Sequence, residues 1–412
     1  MAAPSGNLME WFQHNSGTTS GITVEDKGGD DGLSIVTSMA LEKGQEVLRV
    51  PLALCITVDS AKATELGPIL AAQEPMDSDE ILALHLMLER KKGKESRFHQ
   101  YISTLPTAMD TPLFWSDEEV AGLLKGTMVQ VLTEMMSVQL EKDWKELHEP
   151  LMDANPSLLG GLTIEDYRWA LSCIWSRGFE GGVEGQKCMV PVANAANHDP
   201  FQAGVEHLSD IVTFETATQS FVYKAGRHYE PGEEFYIIYG PYTNAKLLYT
   251  YGFVLPVNKF FGVDYWVRVP STDELAGRKQ SLLSAHPLTQ QQTYDFRGTL
   301  LGNAISPALM ATARIIQARP SDLRDNGAAA LSGKMISPSN EIAAMTVLAR
   351  QLQGKLKHLE ECTGKIAEDE KLLKEDSCGK RERMAIQVRL EDKAVIRDSI
   401  QLLEAGAEKC AK

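Results

Sequence analysis

Three segments of this sequence concentrate side chains able to bind and orient a polar ligand. The first, Trp175-Ser176-Arg177-Gly178-Phe179, offers a guanidinium and an aromatic ring at the end of a helical stretch. The second, Met189-Val-Pro191-Val-Ala-Asn194-Ala-Ala-Asn197-His198-Asp199-Pro200, sets two amides and an imidazole among small residues. The third runs from Gly232 to Phe253 and carries Tyr236, Tyr239, Tyr242, Tyr249 and Tyr251. Singly, each has a structural explanation. Arg177 could satisfy the carbonyls and dipole of a helix end, Asn197-His198 before Asp199-Pro200 could be loop chemistry, and the tyrosines could be core. Their order and spacing together mark a site.

Other chemistries lack their residues. Gly327 to Met335 superficially resembles a phosphate loop, but the spacing is one residue too long and Met335 replaces the Ser/Thr that would hold Mg²⁺. There is no GxGxxG, GxSxG or HExxH motif. The six cysteines (55, 173, 188, 362, 378, 410) form no CxxC pair and no zinc spacing, so free thiols in a reducing compartment are expected.

The elements that must position these groups follow from periodicity. Residues 20–60 read as short strands: Leu33 to Val36 is an apolar run, Glu46 to Val50 leads into Pro51, and Lys43-Gly44 suits a hairpin corner. Helical spacing follows from 60 to 150, in Ile81–Leu88 and from Glu118 to Trp144, with Ser116 and Glu119 predicting a capping box. Thr163 and Asp166 predict another before the helix carrying Tyr167, Trp169, Leu171 and Ile174. Strand-like segments return at Met189–Val192, Ile211–Phe214, Ser220–Tyr223 and Phe235–Tyr239. Past 270 the chain is expected to be helical. Met345, Leu352, Leu359, Ile366 and Leu373, then Val388, Val395 and Leu402, recur every seven residues, predicting two long helices folded back at Ser377-Cys378-Gly379. A partner helix on that hairpin is the alternative.

The chain has 412 residues, a net charge of −15 and 43 % hydrophobic residues, ample for two or three domains and a sizeable core. No apolar run of about 18 residues predicts a membrane span, and the N-terminus lacks the pattern of a signal peptide. Residues 1–170 hold 27 acidic against 13 basic side chains. That argues against unspecific nucleic-acid binding and for steering of a basic protein partner, with simple solubility the alternative. An intracellular monomer, cytoplasmic or nuclear, is expected, with no nucleic-acid or membrane partner.

With Ser176-Arg177, Asn197-His198 and Tyr239-Gly240 to Tyr251-Gly252-Phe253 in this order, the chain resembles the SET-domain protein methyltransferases of the Rubisco large-subunit methyltransferase-like group. Asp31-Gly32-Leu33 up to Pro51 resembles the opening hairpin of that group, and Phe98 to Pro106 with Asp110 to Phe114 its helical insert. The resemblance implies an α+β fold: a β-rich SET core at 20–60 and 160–255, a helical insertion at 61–159, and a mostly α-helical substrate-binding-like domain at 256–412. It implies S-adenosyl-L-methionine as cofactor, and a protein substrate. Asp31, Gly32 and Leu33 would hold the methionine end through their backbone, Arg177 its carboxylate, Asn197 and His198 the adenosine, and Phe253 the adenine ring. Tyr239 would be the catalytic residue at the methyl-transfer pore, with Tyr251 walling the channel and Arg177, Phe179 and Asn194 toward the substrate.

An attacking lysine must be neutral, and deprotonating it near pH 7.4 costs about 4 kcal/mol, given an ordinary lysine pKa of about 10.4. An apolar aromatic channel lowers that cost by disfavouring the charged form. The aromatic at Phe179 resembles the lysine-modifying relatives, where the histidine-modifying branch has a polar residue. Two positions depart from the group: Ser34 stands where a second glycine is usual, and Asn194 where some relatives carry aspartate. Lysine methylation is therefore the expectation, with histidine methylation or a non-catalytic SET-like scaffold as alternatives.

Overall fold

The computed structural model describes residues 4–28, 32–73, 76–179, 186–286, 293–299, 302–325, 327–375 and 378–412. Asp31 lies outside them. The chain divides into two compact units, one of residues 1–109 and 135–241 and one of 110–134 and 242–412. Strands and helices segregate along the chain, an α+β architecture.

In the first unit, Ile22–Asp26 and Leu33–Thr37 pair antiparallel, with Val24 opposite Ile35 and Glu25 opposite Ser34. Lys43-Gly44 does not turn a hairpin. The strand after it, Glu46–Pro51, sits between Thr18–Thr19 and Ser220–Lys224 in a four-stranded antiparallel sheet completed by Val212–Glu215. Val47, Leu48 and Val50 are all buried, so both faces of this strand need cover, which a local hairpin would not supply.

Two other expected strands are reduced. Met189–Val192 shrinks to Cys188–Met189, paired with Gly178–Phe179. It stops there because Pro191 has no N–H to give and Val192 turns to φ +66°. Phe235–Tyr239 is a seam of single bridges: Phe235 N donates to Ile35 O (2.8 Å), Ile237 N to Asn197 O (2.9 Å) and Asp199 N to Ile237 O (3.2 Å). That seam joins the Leu33–Thr37 strand to the Asn197-His198 loop.

Helix Ser78–Lys92 starts at a capping box between Asp77 and Glu80, and its residues from Ile81 to Glu89 are buried without a break. Helix Ile164–Arg177 starts at the expected Thr163–Asp166 box. It is pinned by Trp169 Nε1 donating to Pro106 O (2.8 Å) and by the Arg90 guanidinium 3.9 Å from the Trp169 ring centre. The helical stretch after the Ser116–Glu119 box is broken in two, Asp117–Leu123 and Met128–Asp143, because Gly126 takes φ +77° between them.

The second unit is mostly helical, as expected, but the stretch past 270 is not helical throughout. Phe261–Trp266, Thr293–Thr299 and Gly302–Ile305 form a three-stranded antiparallel sheet. Helices Pro338–Thr363 and Lys380–Ala411 share one apolar core through Leu348, Leu352, Val395, Ile396 and Leu403, with Val263 and Leu309 against it. Between them Gly364 ends the first helix, and Ile366 and Leu373 belong to a separate short helix, Ile366–Lys374. That helix is tied down by buried Asp369, which pairs with Arg389 (2.8 Å) and the Lys393 ammonium; Lys393 Nζ also donates to Gly364 O (2.6 Å).

Candidate active site

Helix Ile164–Arg177 delivers Arg177 at its last position, half-buried. Arg177 Nη1 donates to Asn194 O (3.0 Å), while its buried Nε has no acceptor among the described residues. A guanidinium so placed has donors left for an anionic ligand. The Asn194 amide is engaged inside the unit. In the orientation that satisfies both ends, Nδ2 donates to Arg177 O (3.0 Å) and Val190 O (3.1 Å), and Oδ1 accepts from the Tyr101 hydroxyl. Burial holds the Tyr101 phenol well above its ordinary pKa, so it remains a donor.

Asn194 reaches this position through a strained turn. Val192 (φ +66°, ψ −51°) is the centre of a three-residue turn closed by Ala193 N donating to Pro191 O at 2.7 Å. A β-branched residue in this region costs about 1–3 kcal/mol, and strain of that kind gathers at functional sites.

Two side chains meet the Asn197 amide. Its Nδ2 donates to Glu234 Oε1 (2.8 Å) and Ser34 Oγ (3.1 Å). Glu234 also pairs with the Lys27 ammonium. Burial would raise the Glu234 pKa, but the bonds from Lys27 and Asn197 outweigh it and hold the group below its ordinary value, ionised. His198 Nδ1 accepts from the backbone N of Tyr239 (3.2 Å), so the ring proton of the neutral form sits on Nε2. The His198 and Tyr239 rings stack at 5.1 Å and 18°. The Tyr239 hydroxyl donates to Ala196 O (3.0 Å), and burial raises its pKa despite the nearby Arg177 charge. Tyr239 is therefore a neutral phenol with lone pairs to orient a donor, not a phenolate base.

Gly32 takes φ +55° just before the Leu33–Thr37 strand, with its carbonyl accepting from Lys27 N at 2.8 Å. Leu33 opens that strand, half-buried. Ser34 has strand geometry and is fully buried, with its hydroxyl turned to Asn197. The extra Cβ is thus accommodated within the unit. Phe179 is buried edge-on against Tyr223, with ring centres 6.0 Å apart.

Tyr251 and Phe253 lie in the second unit. Tyr251 ends helix Asn244–Tyr251, and its ring is 5.9 Å from Tyr242 and 6.2 Å from Phe253. Gly252 between them is required twice: φ is +79°, and a Cβ there would lie 2.9 Å from the backbone at Asp110 and Thr111. Asn244 fixes the turn that follows, donating to Leu255 O (2.8 Å) and accepting from Leu255 N (2.9 Å). Sequence reasoning missed Glu234, Lys27 and Tyr101. An acid immediately before the apolar Phe235–Ile238 run was the one available signal, since an acid entering a buried segment needs partners.

Residues 270–396 match the Rubisco LSMT substrate-binding family. The chain is 25 % identical over 410 residues to a chloroplastic fructose-bisphosphate aldolase-lysine N-methyltransferase of Arabidopsis thaliana, covering 97 % of this chain and 82 % of that one. It is 26 % identical over 431 residues to the actin-histidine N-methyltransferase of Homo sapiens, covering 98 % and 68 %. The structure of Rubisco LSMT bound to AdoMet superposes with a TM-score of 0.82 at 21 % identity, over 100 % of this chain and 93 % of that one. The SET domain of LSMT bound to lysine and AdoHcy gives 0.84, also at 21 %. In sequence, in its C-terminal domain and in fold, this chain is similar to the SET-domain protein methyltransferases of the Rubisco large-subunit methyltransferase-like group.

Proposed function

We propose that this protein is an S-adenosyl-L-methionine-dependent protein-lysine N-methyltransferase. The observation that carries the reading is the convergence in one unit of Arg177, Asn197, His198 and Tyr239, with Arg177 Nε buried and lacking an acceptor among the described residues. The residues fit the cofactor chemically. Arg177 has donors for a carboxylate, the Asn197 carbonyl oxygen can accept from an ammonium or hydroxyl, and the neutral Tyr239 phenol can orient an amine without ionising. When bound, the cofactor supplies a sulfonium-activated methyl group. The protein's task is to present a neutral nucleophile in line with it and exclude water.

Lysine is preferred because Phe179 places an aromatic ring where the histidine-modifying branch has a polar residue, and because phenols suit the neutral form of an amine. The actin-histidine relatives support histidine as the second reading. Calorimetric titration with S-adenosylmethionine tests the proposal. Micromolar binding by the wild type, weakened in Asn197→Ala and largely kept in Tyr239→Phe, is the expected result. Labelling of whole-cell protein with a radioactive methyl donor and hydrolysis to amino acids then separates methyl-lysine from methyl-histidine. A folded wild type that does not bind the cofactor refutes enzymatic function.

A further inference from the structure

Glu234 has no role in the reading above, yet it is not a surface acid: its side chain is 12 % exposed, and it contacts two elements of the site. One carboxylate oxygen takes a proton of the Asn197 amide at 2.8 Å, and the other pairs with the Lys27 ammonium. Ser34 Oγ takes the second amide proton at 3.1 Å. A primary amide has two N–H groups, so both are engaged, and Oδ1 is left without a donor among the described residues. The reversed amide would set Oδ1 against the Glu234 carboxylate, oxygen to oxygen, at hydrogen-bond distance. Glu234 therefore decides which way Asn197 faces.

The same carboxylate reaches Lys27, just past the Ile22–Asp26 strand. Lys27 carries its ion pair at a residue whose backbone N donates to Gly32 O (2.8 Å), next to Gly28, whose N donates to Asp26 Oδ1 (2.9 Å). The Glu234 backbone is itself bridged to Val36 on the adjoining strand. One side chain thus couples the Asn197 amide to Lys27 and to the Leu33–Thr37 strand.

We propose that Glu234 is a positioning residue of the cofactor site: assisted by Ser34, it holds Asn197 with only its carbonyl oxygen presented to ligand. Asn197 so held selects a hydrogen-bond donor on the cofactor and rejects an acceptor. This inference rests on the methyl-transfer reading, and its test separates the two.

The experiment is a double-mutant cycle on S-adenosylmethionine affinity, measured by calorimetry on the full chain, with circular dichroism reporting folding. Glu234→Leu should weaken binding about tenfold, the worth of one charge-assisted hydrogen bond. Glu234→Gln, which can still accept from Asn197, should recover affinity to within about threefold of the wild type, as expected when only the charge is lost. In an Asn197→Ala background, Glu234→Leu should change affinity by less than about twofold, because residues acting through one another are not additive. Wild-type binding with a full Glu234→Leu loss that persists without Asn197, or with no recovery by Gln, overturns the positioning role alone. A folded wild type with no affinity overturns the methyl-transfer reading, and this inference with it. Should Glu234→Leu not fold, Ser34→Ala runs the same cycle. A loss of about threefold in the wild-type background and none without Asn197 supports the role, and equal losses in both overturn it.

Discussion

Replacing Asn194 by aspartate, the residue some relatives carry there, asks whether this side chain holds the site together or faces the substrate. The amide donates to Arg177 O at 3.0 Å and Val190 O at 3.1 Å. A carboxylate cannot donate, so two bonds of about 1 kcal/mol each are lost. A negative charge is also set against two carbonyl oxygens, partly offset by the Arg177 guanidinium bonded to the same residue's carbonyl. The Tyr101 hydroxyl bond survives, since Oδ1 is retained. The net cost should be about 2–4 kcal/mol at pH 8. At about 2–4 °C per kcal/mol for units of this size, the melting temperature should fall by roughly 4–16 °C.

The loss has a pH signature. A carboxyl facing carbonyls is easier to protonate folded than unfolded, so its folded pKa is raised. Stability is then best retained at low pH and lost as pH rises. Protonation restores one donor, so the deficit should roughly halve between pH 8 and pH 4.5. Thermal melts of both proteins across that range are the assay. An Asn194→Asp protein melting within about 1 °C of the wild type at pH 8, as for a side chain turned toward substrate, refutes the clamp geometry.

Other outcomes follow from the second unit. Asp392 is raised to about 7, chiefly by burial; Lys355 and Lys393 oppose the shift, while Glu391 and Asp264 add to it. Its folded pKa lies above the unfolded one, so stability is intact below about pH 4 and drains as pH climbs through 7, by about 4 kcal/mol in all. Asp392→Asn should therefore gain about 2–3 kcal/mol on the wild type between pH 5 and pH 8 in urea denaturation; parallel curves would contradict it. Gly252→Ala should cost about 2–4 kcal/mol, from the left-handed backbone and the forced approach to Asp110 and Thr111, as read by the same denaturation. Lys393→Met strips one cation from buried Asp369 and leaves Gly364 O without that donor, so about 3–5 kcal/mol should be lost. A loss under about 1 kcal/mol would mean that Arg389 alone suffices.

Much of the chain was readable from local patterns. The capping boxes at Thr163–Asp166 and Ser116–Glu119 formed as expected because a cap is a contact between residues three apart, settled within one turn of backbone. The seven-residue repeats placed the apolar seam of the C-terminal helices at Leu352 and Val395, but not at Leu402, which is exposed while Leu403 takes the core position. They missed the break at Gly364, because one glycine in the left-handed region outweighs a continuing apolar rhythm. The sheet of Phe261–Trp266, Thr293–Thr299 and Gly302–Ile305 was hidden because alternation in short strands is a weak signal until a partner strand and a covering helix supply burial.

The site divides in the same way. Residue types and order in the sequence singled out Arg177, Asn197, His198 and Tyr239 as candidates, since a guanidinium, an amide, an imidazole and a phenol carry their chemistry wherever they are placed. Only the tertiary structure decided what each atom faces. Ser34, standing where a second glycine is usual, turns its hydroxyl to Asn197. Glu234 and Lys27, 207 positions apart, meet as one ion pair. Asn194 closes on Tyr101 and Arg177. These contacts are non-local, and hydrogen-bond direction depends on a few tenths of an ångström of approach. No spacing along the chain encodes that; the packing of strands and helices around it does.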